Sequence, residues 1–139
     1  MRIKIIDGSN YFRGLLLLIR QDRKIAESEI LLMKRIGKTL GFEREFCENA
    51  IHEILDNKHI PDTTPEFSSI ELAKKFIKDG LAIAHSDEEV HPSEEEWLRM
   101  TAINNGVDAD WFEDECSNAI ARSHLPEHLE VDSLTVTHS

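Results

Sequence analysis

An all-α fold is predicted for this 139-residue chain: a helical bundle of about six to seven helices, built from two pseudo-symmetric three-helix units. Three observations predict it. Tyr11 to Asp62 aligns without a gap with Phe76 to Glu127, at an offset of 65 residues. Each copy carries apolar residues at helical rather than alternating spacing. No convincing pair of alternating strands exists anywhere. Over the 52 aligned positions eight residues are identical, where roughly three are expected by chance. Among them are Leu16/Leu81, Asp22/Asp87, Ser28/Ser93, Glu29/Glu94, Gly41/Gly106 and Pro61/Pro126. The chain reads as a single domain over residues 1–139, with the repeat at 11–62 and 76–127.

The elements follow in order. IKII near the start is the one strand candidate, and nothing is evident for it to pair with. The first helix of each unit, about Ser9 to Gln21 and Ser68 to Ser86, is apolar nearly all round, as a central helix is. Ser68 with Glu71 has the spacing of a capping box. The second helices run about Glu27 to Leu40 and Pro92 to Asn105. Gly41 and Gly106 follow them, where a left-handed residue ends a helix. The third helices carry Phe46, Cys47, Ala50, Ile51, Ile54 and Leu55, matched by Trp111, Phe112, Ala119 and Ile120, with Asp110 and Glu113 as a second capping box. IPDTTPEFSS connects the units. The tail, residues 128–139, has no helical period and is expected to fray.

Charge narrows the function. Sixteen basic against 27 acidic residues give −11, and all of it lies after Ile70: the first 70 residues balance at 11 and 11, the rest hold 5 basic and 16 acidic. Such a field repels phosphate backbones, so no nucleic acid is expected, and cations or a basic protein are the favoured partners. No apolar run is long enough for membrane insertion. MRIKIID lacks the pattern of a secretory signal, and Cys47 and Cys116 form no disulfide framework, so a cytoplasmic protein with reduced core thiols is expected. No triad spacing, glycine-rich phosphate loop or activated thiol is present. No enzyme is expected.

One motif recurs at the junction of first and second helices: DRKIAESE at Asp22 to Glu29 and DEEVHPSE at Asp87 to Glu94. Ile25 and Val90 can plug the core, while Glu29 and Glu94 suit the N-terminal turn of the second helix, beside exposed N–H groups. Asp22 and Asp87 follow the carbonyl-rich end of a helix, where an anion is unfavourable unless the turn swings it towards the next helix or a cation sits beside it. Asp87 and Glu94 are therefore candidate ligands for a divalent cation, Ca²⁺, Mg²⁺, Mn²⁺ or Zn²⁺, with Asp22 and Glu29 as a weaker second set. The order of residues leaves open whether the two junctions form one site or two. His85, Glu89 and His91 are accessory candidates, and histidine would favour Mn²⁺ or Zn²⁺. The spacing is not that of an EF-hand, since Pro92 and Leu98 stand where glycine and the bidentate glutamate belong.

LAIAHSDEEVHPSEEEWLRMTAINNGV, and more weakly LLLLIRQDRKIAESEILLMKRIGKTLGF, resemble the tellurite-resistance TerB family, whose domains carry A-x-A-D-G-x-V-[ST]-x-x-E before an amphipathic helix. The family acidic positions fall on Asp22, Glu29, Asp87 and Glu94; its glycine is Arg23 or Glu88 here, and its Ser/Thr is Ala26 or His91. The resemblance implies a TerB-like helical bundle and a bacterial protein linked to metal or oxyanion stress. TerB-like domains also occur in a membrane-anchored co-chaperone, so by analogy the resemblance admits a second function: an interaction module docking a basic partner through the acidic second half, without metal. Glu95 and Glu96 would then face solvent.

Overall fold

Among the described residues six helices form where apolar residues recur at helical spacing. The computed structural model describes residues 1–21, 26–57, 59–85, 92–122 and 128–137. Strand β1 (Arg2–Lys4) leads directly into α1 (Ile5–Arg20), followed by α2 (Glu27–Thr39), α3 (Arg44–Asp56), α4 (Ile70–Ala84), α5 (Pro92–Asn104) and α6 (Ala109–Arg122). A 3-10 turn (Glu130–Ser133) and β2 (Thr135–Thr137) complete the order. The helix starts recur 65 residues apart: Ile5 and Ile70, Glu27 and Pro92, Arg44 and Ala109.

The ends of α2 and α5 are built alike. Gly41 (φ 81°) and Gly106 (φ 73°) both adopt the left-handed conformation that a side chain would strain. Phe42 N–H then reaches the Gly37 carbonyl at 3.0 Å, and Val107 N–H reaches that of Ala102 at 2.9 Å. These are the long hydrogen bonds of the Schellman motif. Helix starts differ more from the sequence reading. Ser69, not Ser68, caps α4, its Oγ accepting from Leu72 N–H at 3.2 Å. Ser68 instead donates through its amide (3.0 Å) and hydroxyl (2.5 Å) to the buried Asp7 carboxylate, tying the connector to α1. Before α6 it is Asp108 that accepts a backbone bond, from Asp110 N–H at 3.2 Å.

The core is one cluster drawn from all six helices and the C-terminal segment. Leu15, Leu16, Leu18 and Ile19 of α1, and Leu72, Phe76 and Leu81 of α4, are fully or almost fully buried, as the apolar density of these helices predicts.

The expected strand and tail are corrected together. Residues 128–137 do not fray: Leu129, Val131 and Leu134 are buried, and β2 pairs in parallel with β1, Ile3 opposite Val136. The Met1 ammonium donates to the Ser133 carbonyl at 2.9 Å. Gly8 permits the approach, since a Cβ there would sit 3.0 Å from the Val136 side chain. Arg35 holds Asp132 at 2.9 Å, and Lys75 holds Glu130 at 3.3 Å.

Asp79 of α4 is the buried anchor of this strap. Its carboxylate accepts from Tyr11 Oη at 2.5 Å, Glu130 N–H at 2.6 Å and Val131 N–H at 2.9 Å. Burial lifts the Asp79 pKa from 3.8 to about 6 although these hydrogen bonds pull it down; burial and the Asp79 charge push Tyr11 well up. Because the folded pKa lies above the unfolded one, the native state binds more protons between the two values. The Asp79 contribution is therefore fully present below 3.8 and is lost as pH rises through about 6. The difference is about 3 kcal/mol. Urea titrations at pH 4 and pH 7 should show Asp79→Asn with a correspondingly flatter pH dependence than the unaltered chain; parallel profiles would contradict this.

Candidate metal-binding junctions

The junction glutamates sit where helix-start chemistry places them. Glu29 is the third residue of α2 and Glu94 the third of α5, and both are buried. Glu29 Oε1 accepts from Ala26 N–H at 3.0 Å, while Glu29 N–H bonds the Ala26 carbonyl at 3.0 Å. This is one arm of a capping box; alanine has no side chain to supply the other. Two buried glutamates thus stand in the first turns of α2 and α5, at the positive ends of those helices.

His85 caps α4 and is buried, its N–H donating to the Leu81 carbonyl at 2.9 Å. Its Nε2 is buried without a hydrogen-bond partner among the described residues. Burial lowers its pKa, opposed by Glu95. Asp22, Asp87, Glu89 and His91 lie outside the described residues. Among the described residues no three His, Cys, Asp or Glu side chains are grouped as a metal site needs.

The ends of α1 and α5 meet. Ser93, in the first turn of α5, donates from Oγ to the Gln21 carbonyl at the end of α1, at 3.1 Å. That contact satisfies one of the carbonyls a helix terminus leaves open. Arg20 secures the same end, donating to the carbonyls of Ile54 (3.0 Å), Asn57 (3.3 Å) and Ile60 (2.6 Å) and pairing with Asp62. Trp97 of α5 donates from Nε1 to the Asp62 carbonyl at 2.9 Å. Asp22 follows Gln21 in the chain, and Glu94 follows Ser93. The start of the first acidic motif and the end of the second therefore adjoin at one end of the bundle. Ser93 and Ser28 are repeat equivalents; Ser28 is exposed, and Ser86, the equivalent of Gln21, lies outside the described residues. The Ser28/Ser93 identity was visible in the sequence; the partner, 72 residues away, was not.

Comparison of the chain with protein-family models, with curated proteins and with solved structures finds no match.

Two other expectations can be placed. Glu96 is exposed, but Glu95 is half-buried, which corrects the expectation that both face solvent. Glu95 lies close enough to Cys116 that, after burial, its charge helps push the thiol up to about 12. Cys47 is raised too, by burial and then by Glu48. Both thiols are buried and unbridged, and at neutral pH both are protonated, the unreactive form. No described helix is long and apolar enough to cross a membrane.

Proposed function

We propose that this chain is a non-catalytic, TerB-like helical protein of two pseudo-symmetric units, whose two acidic junctions together bind one divalent cation, and that it acts in a metal or oxyanion stress response. The observation that carries the reading is the Ser93–Gln21 contact, which brings the end of the second motif beside the start of the first. The recurrence of helix starts and of the Gly41 and Gly106 helix ends supports the two-unit description.

The donor chemistry fits a hard cation. Glu29 and Glu94 are buried in first turns, and the Glu29 carboxylate, held by Ala26 N–H before binding, loses little freedom on coordination. Asp22 and Asp87 would supply the remaining charge, with Glu89, His85 and His91 as further donors. A bound ion would supply the positive charge that balances the carboxylates beside the carbonyl-rich end of α1. Metal at a hundredfold excess over its dissociation constant stabilises the fold by about 2.7 kcal/mol, about 8 °C in melting temperature for a chain of this size. One of Ca²⁺, Mg²⁺, Mn²⁺ or Zn²⁺ should produce that rise, and Asp87→Asn should remove it. An unchanged melting temperature with all four at millimolar concentration contradicts the proposal.

A second reading is favoured by one observation: Asp108, Asp110, Glu113 and Asp114 are all exposed around α6, with Glu96 exposed on α5. A surface of one sign chiefly raises the association rate of a basic partner and is screened over about 8 Å at physiological salt. Basic proteins retained at low salt should be lost as salt rises. Replacing Asp108, Asp110 and Asp114 with Asn should slow their capture while leaving the melting temperature unchanged. Equal capture rates would identify this face as solubility charge.

A further inference from the structure

The net charge of −11 conceals a local reversal. Between α2 and α3 lies a cavity of about 440 Å³ whose lining comprises Lys34, Lys38, Phe42, Arg44, Cys47 and Glu48, three cations to one anion. That volume is in the range of small-molecule sites. A second cavity of about 450 Å³ adjoins it, sharing Lys34 and Glu48, and continues past Ile30, Ile51 and Leu55. Positive charge is thus concentrated at the Phe42 end, and from it a channel floored by Ile30, Ile51 and Leu55 and bordered by Glu48, His52 and Asp56 runs on along the two helices.

Charge availability separates this cleft from its repeat equivalent. Lys34, Cys47 and Glu48 correspond to Arg99, Phe112 and Glu113. Arg99 is occupied within the protein: it pairs with Glu113, and its guanidinium stands 5.1 Å over the Phe112 ring. In the first unit Arg44 takes Glu48 at 3.0 Å. Lys34 and Lys38, both exposed, form no ion pair among the described residues. Cys47, smaller than Phe112, forms the buried back of the cavity.

We infer that this cleft is a binding site for an amphiphilic carboxylate: a single anionic head between Lys34 and Lys38, with an unbranched apolar chain lying towards Ile51 and Leu55. A dianion or a bare inorganic anion would leave the channel unfilled. A neutral chain would leave Lys34, Lys38 and Arg44 facing Glu48 as the one anion of that lining.

Decanoate, decanol and acetate distinguish these cases, each titrated against the full chain below the concentration at which decanoate forms micelles. Binding is followed by chemical-shift changes of backbone amides. Decanoate should saturate, with shifts confined to α2, α3 and the Phe42 turn, while decanol and acetate bind at least tenfold more weakly. Lys34→Gln with Lys38→Gln should weaken decanoate tenfold or more. These lysines are exposed, so that variant keeps its fold; Lys4→Gln, on β1, should leave the affinity unchanged. Equal binding of decanol, insensitivity to the lysine pair, or shifts spread over the whole chain would each overturn the inference. So would saturation by an acidic amphipathic peptide but not by decanoate, which would make the cleft a peptide groove.

Discussion

Asp79→Ala should destabilise the fold by about 4 kcal/mol at pH 4 and by about 1 to 2 kcal/mol at pH 7. The variant strips the acceptor from Tyr11 Oη, Glu130 N–H and Val131 N–H, leaving three donors in the interior. A buried donor without a partner costs about 1–3 kcal/mol. At pH 7 the loss is partly offset, because alanine also removes a carboxylate that burial makes costly to ionise. Asparagine does not restore the site. Oδ1 accepts from one amide and Oδ2 from the other, so whichever oxygen becomes an amino group faces an N–H donor. Urea midpoints at the two pH values, on either side of the pI of about 5.0, check the expectation. A cost under about 1 kcal/mol at pH 4 would show that Asp79 does not hold the strap.

Removing residues 128–139 should cost more, about 5 kcal/mol or more. The deletion exposes the surface that Leu129, Val131 and Leu134 cover, leaves β1 unpaired, and takes both amide partners from Asp79. Burying one such aliphatic side chain contributes about 1.5–3 kcal/mol, and the ordering of the strap offsets part of the sum. The truncated chain should melt far lower and expose apolar surface to a hydrophobic dye. Asp79→Ala in that background should add little, since the two changes remove the same contacts. A truncated chain as stable as the full one would mean the segment frays after all.

The contrast between helices and strap shows what was legible in the amino-acid order. Gly41 and Gly106 act through their own backbone angles, so two glycines after two periodic runs sufficed to place both helix ends. The central position of α1 and α4 was readable because Leu15–Ile19 and Leu81–Ala84 leave little polar surface for water. The strap was not readable, because Leu129, Val131 and Leu134 are too few and too unevenly spaced to show a period. Its strand partner lies at the other end of the chain, beyond any local window. Tyr11 and Asp79 carry no local signal that pairs them, and only packing made them partners. At the junctions, the placing of Glu29 and Glu94 in first helical turns was local and readable. The meeting of Gln21 with Ser93 was not, since it depends on how α5 packs against α1. The half-burial of Glu95 likewise depends on tertiary packing, here beside Cys116.

The central claim is that two motifs far apart in sequence make one cation site. Calorimetric titration of metal-free protein with Ca²⁺, Mg²⁺, Mn²⁺ and Zn²⁺ tests it most directly, because stoichiometry separates one shared site from two. The account predicts one ion per chain for the metal that binds, with Asp22→Asn and Asp87→Asn each abolishing the whole signal. Two ions per chain, with each variant losing one of them, or no heat with any of the four metals, would contradict it.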